Sequence, residues 1–156
     1  MNKAVVTIAA AVVLMCGSAN GQADRKVLEF DTMAPVTGPF VGAANPIRGV
    51  AGGGIPWQLQ QARGELRQDG RLEIQVRGLV LATTHVNPVP AFRGLVSCQI
   101  IANGAPGFVN VSTIDFPATP AGDADIEAML ELPAHCFAPI IFVTNSAGRW
   151  FAVTGY

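Results

Sequence analysis

Polar and apolar residues take turns along most of the chain. The clearest stretch is Leu72 to Arg77, where Leu72, Ile74 and Val76 alternate with Glu73, Gln75 and Arg77. Successive strand side chains point to opposite faces, so this period predicts one apolar and one wetted face. Just upstream, Gln68-Asp69-Gly70 supplies a turn. A two-residue Asp69-Gly70 loop would set Leu66 against Glu73, because a slip of one residue turns every side chain over. A three-residue loop, Gln68 to Gly70, sets Leu66 against Leu72 and puts Gly70 where a G1 bulge needs a left-handed backbone. In that register Arg67 is diagonal to Glu73 and Glu65 to Arg71, pairs worth roughly 0.2–1 kcal/mol each. Glu65 then faces Glu73 and Arg67 faces Arg71, which opposes the pairing. After Gly78 the alternation stops and Leu79 to Ala82 is continuously apolar. Such a run suits a strand entering a two-sided core or crossing between sheets.

The same period recurs elsewhere. Arg25 to Met33 reads as a first strand, with Leu28 and Phe30 on one face and Glu29 and Asp31 on the other. Ile55 to Arg67 reads as the strand leading into the central hairpin. Its apolar parity changes between Leu59 and Ala62, which predicts a bulge near Gln60 or Gln61. Trp57 within it reads as core, the alternative being a ring that Gly53 to Pro56 presents to a ligand. Across Ala91 to Ile101, Phe92, Val96, Cys98 and Ile100 face one way and Arg93, Ser97 and Gln99 the other. Phe108 to Thr113 follows a turn marked by Asn103-Gly104 and Pro106-Gly107. Asp123 to Leu132 sets Ile126, Ala128, Leu130 and Leu132 against Asp125, Glu127, Met129 and Glu131. Ile140 to Val143 and Arg149 to Thr154 make a closing hairpin over Asn145 to Gly148. Pro35 to Gly54 is too rich in proline and glycine for a regular element. It reads as a connection pinned by Phe40, Val41, Ile47 and Val50, with a functional or mobile loop as the alternative. About eight short strands between turn signals predict an all-β fold, a single antiparallel sandwich or barrel.

Composition narrows the setting. Residues 1–23 have the plan of a signal peptide: Lys3, an uncharged apolar run from Ala4 to Met15, and small residues ending at Ala23. A cut after Ala19 is an alternative, as is a lipoprotein with Cys16 modified. The apolar run is shorter than the roughly 20 residues a spanning helix needs, so the exported chain, 24–156, is expected to be one β domain with no transmembrane segment. Charged residues are 13% of the chain and the formal net charge is −1, which argues against nucleic acid as a partner. Export leaves Cys98 and Cys136, and two cysteines in an oxidising compartment are expected to pair. The expected location is secreted or periplasmic.

Candidate chemistry is sparse. His85, His135, Cys98 and Cys136 have the atom types of a zinc site without its spacing. Asp123, Asp125 and Glu127 share a strand face, with Asp115 nearby in sequence, as a calcium site would need. A solvated acidic face beside Arg67, Arg71 and Arg77 explains the same residues. A hydrolase can be drawn from His85 or His135 with Ser97, Ser112 or Asp115, since such sites are set by geometry. The chain has neither a G-x-S-x-G elbow nor an H-E-x-x-H pair. Gly52-Gly53-Gly54 leads into no Lys-Ser/Thr helix, so it is not a phosphate loop. Asn110-Val111-Ser112 is a glycosylation sequon.

The runs GRLEIQVRGLVL, NPVPAFRGLVSCQI and LELPAHCFAPIIFVTN resemble a group of small secreted β proteins without an assigned activity. The likeness spans about residues 53–155 and implies a secreted β fold with no catalytic residue to transfer. Asp69-Gly70-Arg71-Leu72 through Val76-Arg77-Gly78-Leu79 is similar, more faintly, to CHRD domains. Thr84-His85-Val86-Asn87 stands where those domains usually have Ala-His-Ile-His. The expected function is that of a non-catalytic secreted or periplasmic module, with an unidentified ligand or envelope partner and no cofactor. The alternative is a small hydrolase or metal-binding protein with its site near His85, His135 and the Asp123, Asp125 and Glu127 face.

Overall fold

The computed structural model describes residues 25–155. The expected signal peptide, its cleavage sites and Cys16 lie outside the described residues. Eight strands have four or more residues: β1 Lys26–Phe30, β4 Gln61–Arg67, β5 Arg71–Arg77, β7 Ala91–Ala102, β8 Ala105–Ser112, β10 Ala124–Met129, β11 Phe137–Thr144 and β12 Trp150–Val153. Four have two residues each: β2 Ala34–Pro35, β3 Trp57–Gln58, β6 Val80–Leu81 and β9 Phe116–Pro117. One sheet has the order β1-β4-β5-β10, and the second β2-β12-β11-β7-β8 with β9 also on β7. A β3-β6 ribbon lies beside them. All recorded strand pairs are antiparallel. The fold is therefore all-β, a sandwich of packed antiparallel sheets. No helix among the described residues is long and apolar enough to cross a membrane.

The alternating residues build the interface between the sheets. Leu66, Leu72, Ile74, Val76 and Ile126 come from one sheet, and Phe92, Val96, Cys98, Ile141 and Val143 from the other; all are buried in one core. The layers meet closely at Gly94 of β7. A Cβ there would lie 2.8 Å from Leu72 Cδ2 and 3.1 Å from Ile74 Cδ1. The central hairpin has the expected register, with Leu66 opposite Leu72 and a Gln68 to Gly70 loop. Gly70 has φ of +90°, and its N–H donates to Arg67 O at 3.0 Å. The charged side chains find partners other than the expected diagonal ones. Arg67 reaches Glu65 and Arg71 reaches Glu73, each two residues away on its own strand, and Lys26 and Glu127 on flanking strands join them.

Three sequence expectations change. Ile55 to Arg67 is not one strand with a bulge. It breaks after Gln58, so that β3 pairs with β6 while β4 joins the four-stranded sheet. Trp57 is fixed in the core by stacking on Phe151, with ring centroids 3.9 Å apart. The apolar run after Gly78 makes the matching departure: Leu79 is buried and Val80–Leu81 becomes the ribbon's other strand. Next, β8 starts at Ala105, so Pro106 and Gly107 lie within the strand, and Asn103-Gly104 alone turns the β7-β8 hairpin. Lastly, Ser97 is fully buried although it points away from the inter-sheet core.

The long segment after β2 explains Ser97. It lies over the outer face of the six-stranded sheet as a partial third layer. Phe40 packs on Trp150, which packs on Phe142, with centroids 6.3 and 6.1 Å apart. Gly52 bridges to Trp150, and Arg48 Nη1 donates to Ser97 O at 2.9 Å. Of the four expected pins, Val50 is buried and Val41 and Ile47 pack on the core, while Phe40 keeps 41% of its surface exposed. Cys98 of β7 and Cys136, just before β11, form the expected disulfide. Because β7 and β11 are neighbours, the bridge fastens a strand to the link entering its partner, within one sheet.

Candidate functional site

The outward face of the four-stranded sheet holds a polar concavity of about 790 Å³. Strand register builds it. Glu29, Glu65, Glu73 and Glu127 stand directly opposite one another across β1, β4, β5 and β10. Arg63, Gln75 and Asp125 form the parallel row one step along, continued by Asp31 beyond the end of β1. The trough runs between these rows, across the strands, a span of roughly 14 Å for three inter-strand spacings. Phe30, Gly64, Ile74 and Ile126 lie beneath it. Gly64 lets the chains close up there: a Cβ would fall 2.1 Å from Glu73 O and 2.8 Å from Phe30 Cζ.

Four like charges in register are unfavourable unless neighbours neutralise them. Lys26 lies 2.9 Å from Glu29 and 2.8 Å from Glu65. Arg71 holds Glu73 at 2.7 Å and Glu127 at 2.8 Å, and Arg77 holds Asp125 at 2.8 Å. The hydrogen bond from Lys26, and then that from Arg67, keeps the Glu65 carboxyl below its ordinary range. The same contact with Glu65, followed by that with Glu29, raises Lys26. Arg63 Nε donates to Gln75 Oε1 at 2.7 Å. The face is thus a nearly balanced lattice of planar hydrogen-bonding groups. The expected solvated face beside Arg71 and Arg77 is present, while Arg67 turns to Glu65 instead.

The other candidate residues are dispersed. Asp123 accepts the Gly78 N–H at 2.9 Å and so joins the ends of β5 and β10. Asp115 lies in the link between β8 and β9, where Arg93 and Ser146 hold it, Arg93 first, and lower its pKa. His85 sits in the β6-β7 turn with φ of +57°, and Gln58 Nε2 lies 2.8 Å from its Nδ1. His135 is exposed and its ring is parallel to that of Phe137, with centroids 6.0 Å apart. Ser97 Oγ is buried without a partner, and Ser112 Oγ donates to Thr113 O at 3.3 Å. Both cysteine sulfurs are used in the disulfide. The proposed zinc and hydrolase sets therefore do not assemble through these contacts. Among the described residues no group of three or more His, Cys, Asp or Glu side chains is placed to hold a metal ion. Asn110 of the sequon is exposed, and its Nδ2 donates to Arg48 O at 3.2 Å.

Sequence reading found Asp125 and Glu127 but missed the trough. Its other members come from strands whose adjacency is set by the β1-β4-β5-β10 order, which no local pattern encodes. Comparison of the chain with protein-family models, characterised proteins and solved structures gives no match.

Proposed function

We propose that the chain is a non-catalytic β-sandwich module of the secreted or periplasmic space, binding a polar, extended ligand across the four-stranded sheet. One observation carries this reading. Hydrogen-bonding side chains from four strands converge on the trough, whereas His85, Ser112 and Asp115 are each engaged locally and Ser97 is buried elsewhere. Balanced charge favours a ligand recognised through hydroxyl or amide groups over one held by net charge. Arg63 and Gln75 lie at the centre of the face and are the main determinants. The Cys98–Cys136 bridge supports an oxidising compartment.

Binding of the purified exported chain to envelope polysaccharides and soluble glycans tests this. The Arg63→Ala, Gln75→Ala double variant is expected to lose binding with an unchanged circular dichroism spectrum. Binding that survives that variant would move the site elsewhere. Hydrolysis of an ester, peptide or glycoside that disappears in His85→Ala or His135→Ala would replace this reading with an enzymatic one.

A further inference from the structure

A sheet edge is a row of unpaired backbone groups, and folded proteins usually guard it with charge, proline, bulges or a covering segment. Three of the four edges of the two main sheets are guarded here. β1 carries Lys26 and Glu29 and has a register shift between Lys26 and Leu28. β10 carries Asp125 and Glu127. β2 is two residues long and ends in Pro35, and the following Val36 O already accepts the Trp57 N–H at 3.0 Å. β8 differs. Its sequence, APGFVNVS, has no charged residue, and Phe108 on it is 52% exposed.

The hydrogen-bonding phase of β8 follows from its end. Thr113 N–H donates to Gly94 O at 2.9 Å. Antiparallel partners alternate between bonded and non-bonded pairs, so Val111, Val109 and Gly107 bond inward to β7. Ser112, Asn110, Phe108 and Pro106 then direct their backbone groups outward. Pro106 has no N–H and ends the open run, leaving Phe108, Asn110 and Ser112 as donors at a clean edge.

We infer that β8 is the seam of a two-fold dimer with a second copy of this chain. An axis at Asn110 sets Asn110 against its counterpart and Phe108 against Ser112 of the other copy. Each residue in those pairs already points outward, so about six backbone hydrogen bonds form without any change in phase. The same register brings Val109 opposite Val111 across the seam. Both are only half-buried in the single chain, and pairing completes their burial on the core face. The strand is complementary to itself in bonding phase and in apolar parity, and its own residues carry no charge, although the Arg48 guanidinium lies over Phe108, 5.1 Å from the ring centroid. These properties select a second copy over an arbitrary extended segment. A glycan on Asn110 would occupy the axis, so glycosylation at the sequon and dimerisation exclude each other.

Sedimentation equilibrium of the exported chain tests the seam, together with amide exchange followed by NMR. The expected result is a monomer–dimer equilibrium with a dissociation constant on the order of 1–100 µM, as for a small transient interface. The Phe108, Asn110 and Ser112 amides should gain protection as concentration rises. Asn110→Lys puts two like charges on the axis at an exposed position and should give a folded monomer. A monomer at every concentration with those three amides unprotected overturns the inference. So does a dimer that survives Asn110→Lys. If Asn110→Lys does not fold, the wild-type amide protection decides alone.

Discussion

Ser97 and Thr144 carry buried hydroxyls with no hydrogen-bond partner among the described residues. Both lie on the outer face of the six-stranded sheet, which alternation marks as wet and the long segment then covers. An unsatisfied buried hydroxyl costs roughly 1–3 kcal/mol. Ser97→Ala and Thr144→Val remove the hydroxyl at nearly constant volume, so each is expected to raise the urea midpoint, by about 1 kcal/mol in unfolding free energy. A loss of similar size in either would mean that the hydroxyl is satisfied. Glu65 gives the opposite case, a polar group whose partners support the fold. Its folded pKa lies below the ordinary 4.5, through Lys26 and then Arg67. Its contribution is therefore fully present above the unfolded value and is lost as pH falls through the lower folded value. Unfolding midpoints should drop as pH falls below about 4.5 and should drop less steeply in Glu65→Gln. Parallel acid limbs for the two proteins would assign the acid sensitivity to other carboxylates.

The central hairpin was legible because two local signals agree on it. Only the three-residue loop matches the apolar parity of Leu66 and Leu72, and that loop demands a glycine at position 70. Tertiary packing adds a second constraint on the same residue: Gly70 O accepts the Leu130 N–H at 2.9 Å, and a Cβ on Gly70 would lie 2.0 Å from Leu130 O. Gly70→Ala therefore meets a left-handed backbone and a backbone clash together. Positive φ and overpacking each cost about 1–3 kcal/mol, so the loss should exceed that of an ordinary turn substitution. Chemical denaturation would read it, with Gly148→Ala as the control, because Gly148 has φ of +75° and open space around it. Equal losses would show that backbone conformation alone matters at Gly70. Ile55 to Arg67 misled for a physical reason. A change of apolar parity is the same whether a strand bulges in place or leaves one sheet for another. Only the partner, β6 for Trp57–Gln58 and β5 for Gln61–Arg67, separates the two.

At the scale of the molecule, fold class and covalent closure were readable, whereas the trough and the third layer were not. Glu29, Glu65, Glu73 and Glu127 are far apart in sequence and meet only through strand order. The segment over Trp150 and Phe142 has no periodicity to show where it lies. The disulfide was readable because the cysteine count is a global property, but its placement has a consequence that the count does not contain. Cys98 and Cys136 join neighbours already paired through β7 and β11, so the bridge adds little new contact in the folded chain. Its effect should fall on the unfolded chain, where it closes a loop of 38 residues. On the chain-entropy account that closure is worth about 4 kcal/mol. Cys98→Ala, Cys136→Ala is thus expected to keep the β spectrum and lose about 3–4 kcal/mol of stability, with the void left at the buried Cys98 position adding to the loss. The denaturant slope should rise, because the uncrosslinked unfolded chain exposes more surface. A stability loss with an unchanged slope would place the effect in the native state and require strain or packing around Cys98 as its source.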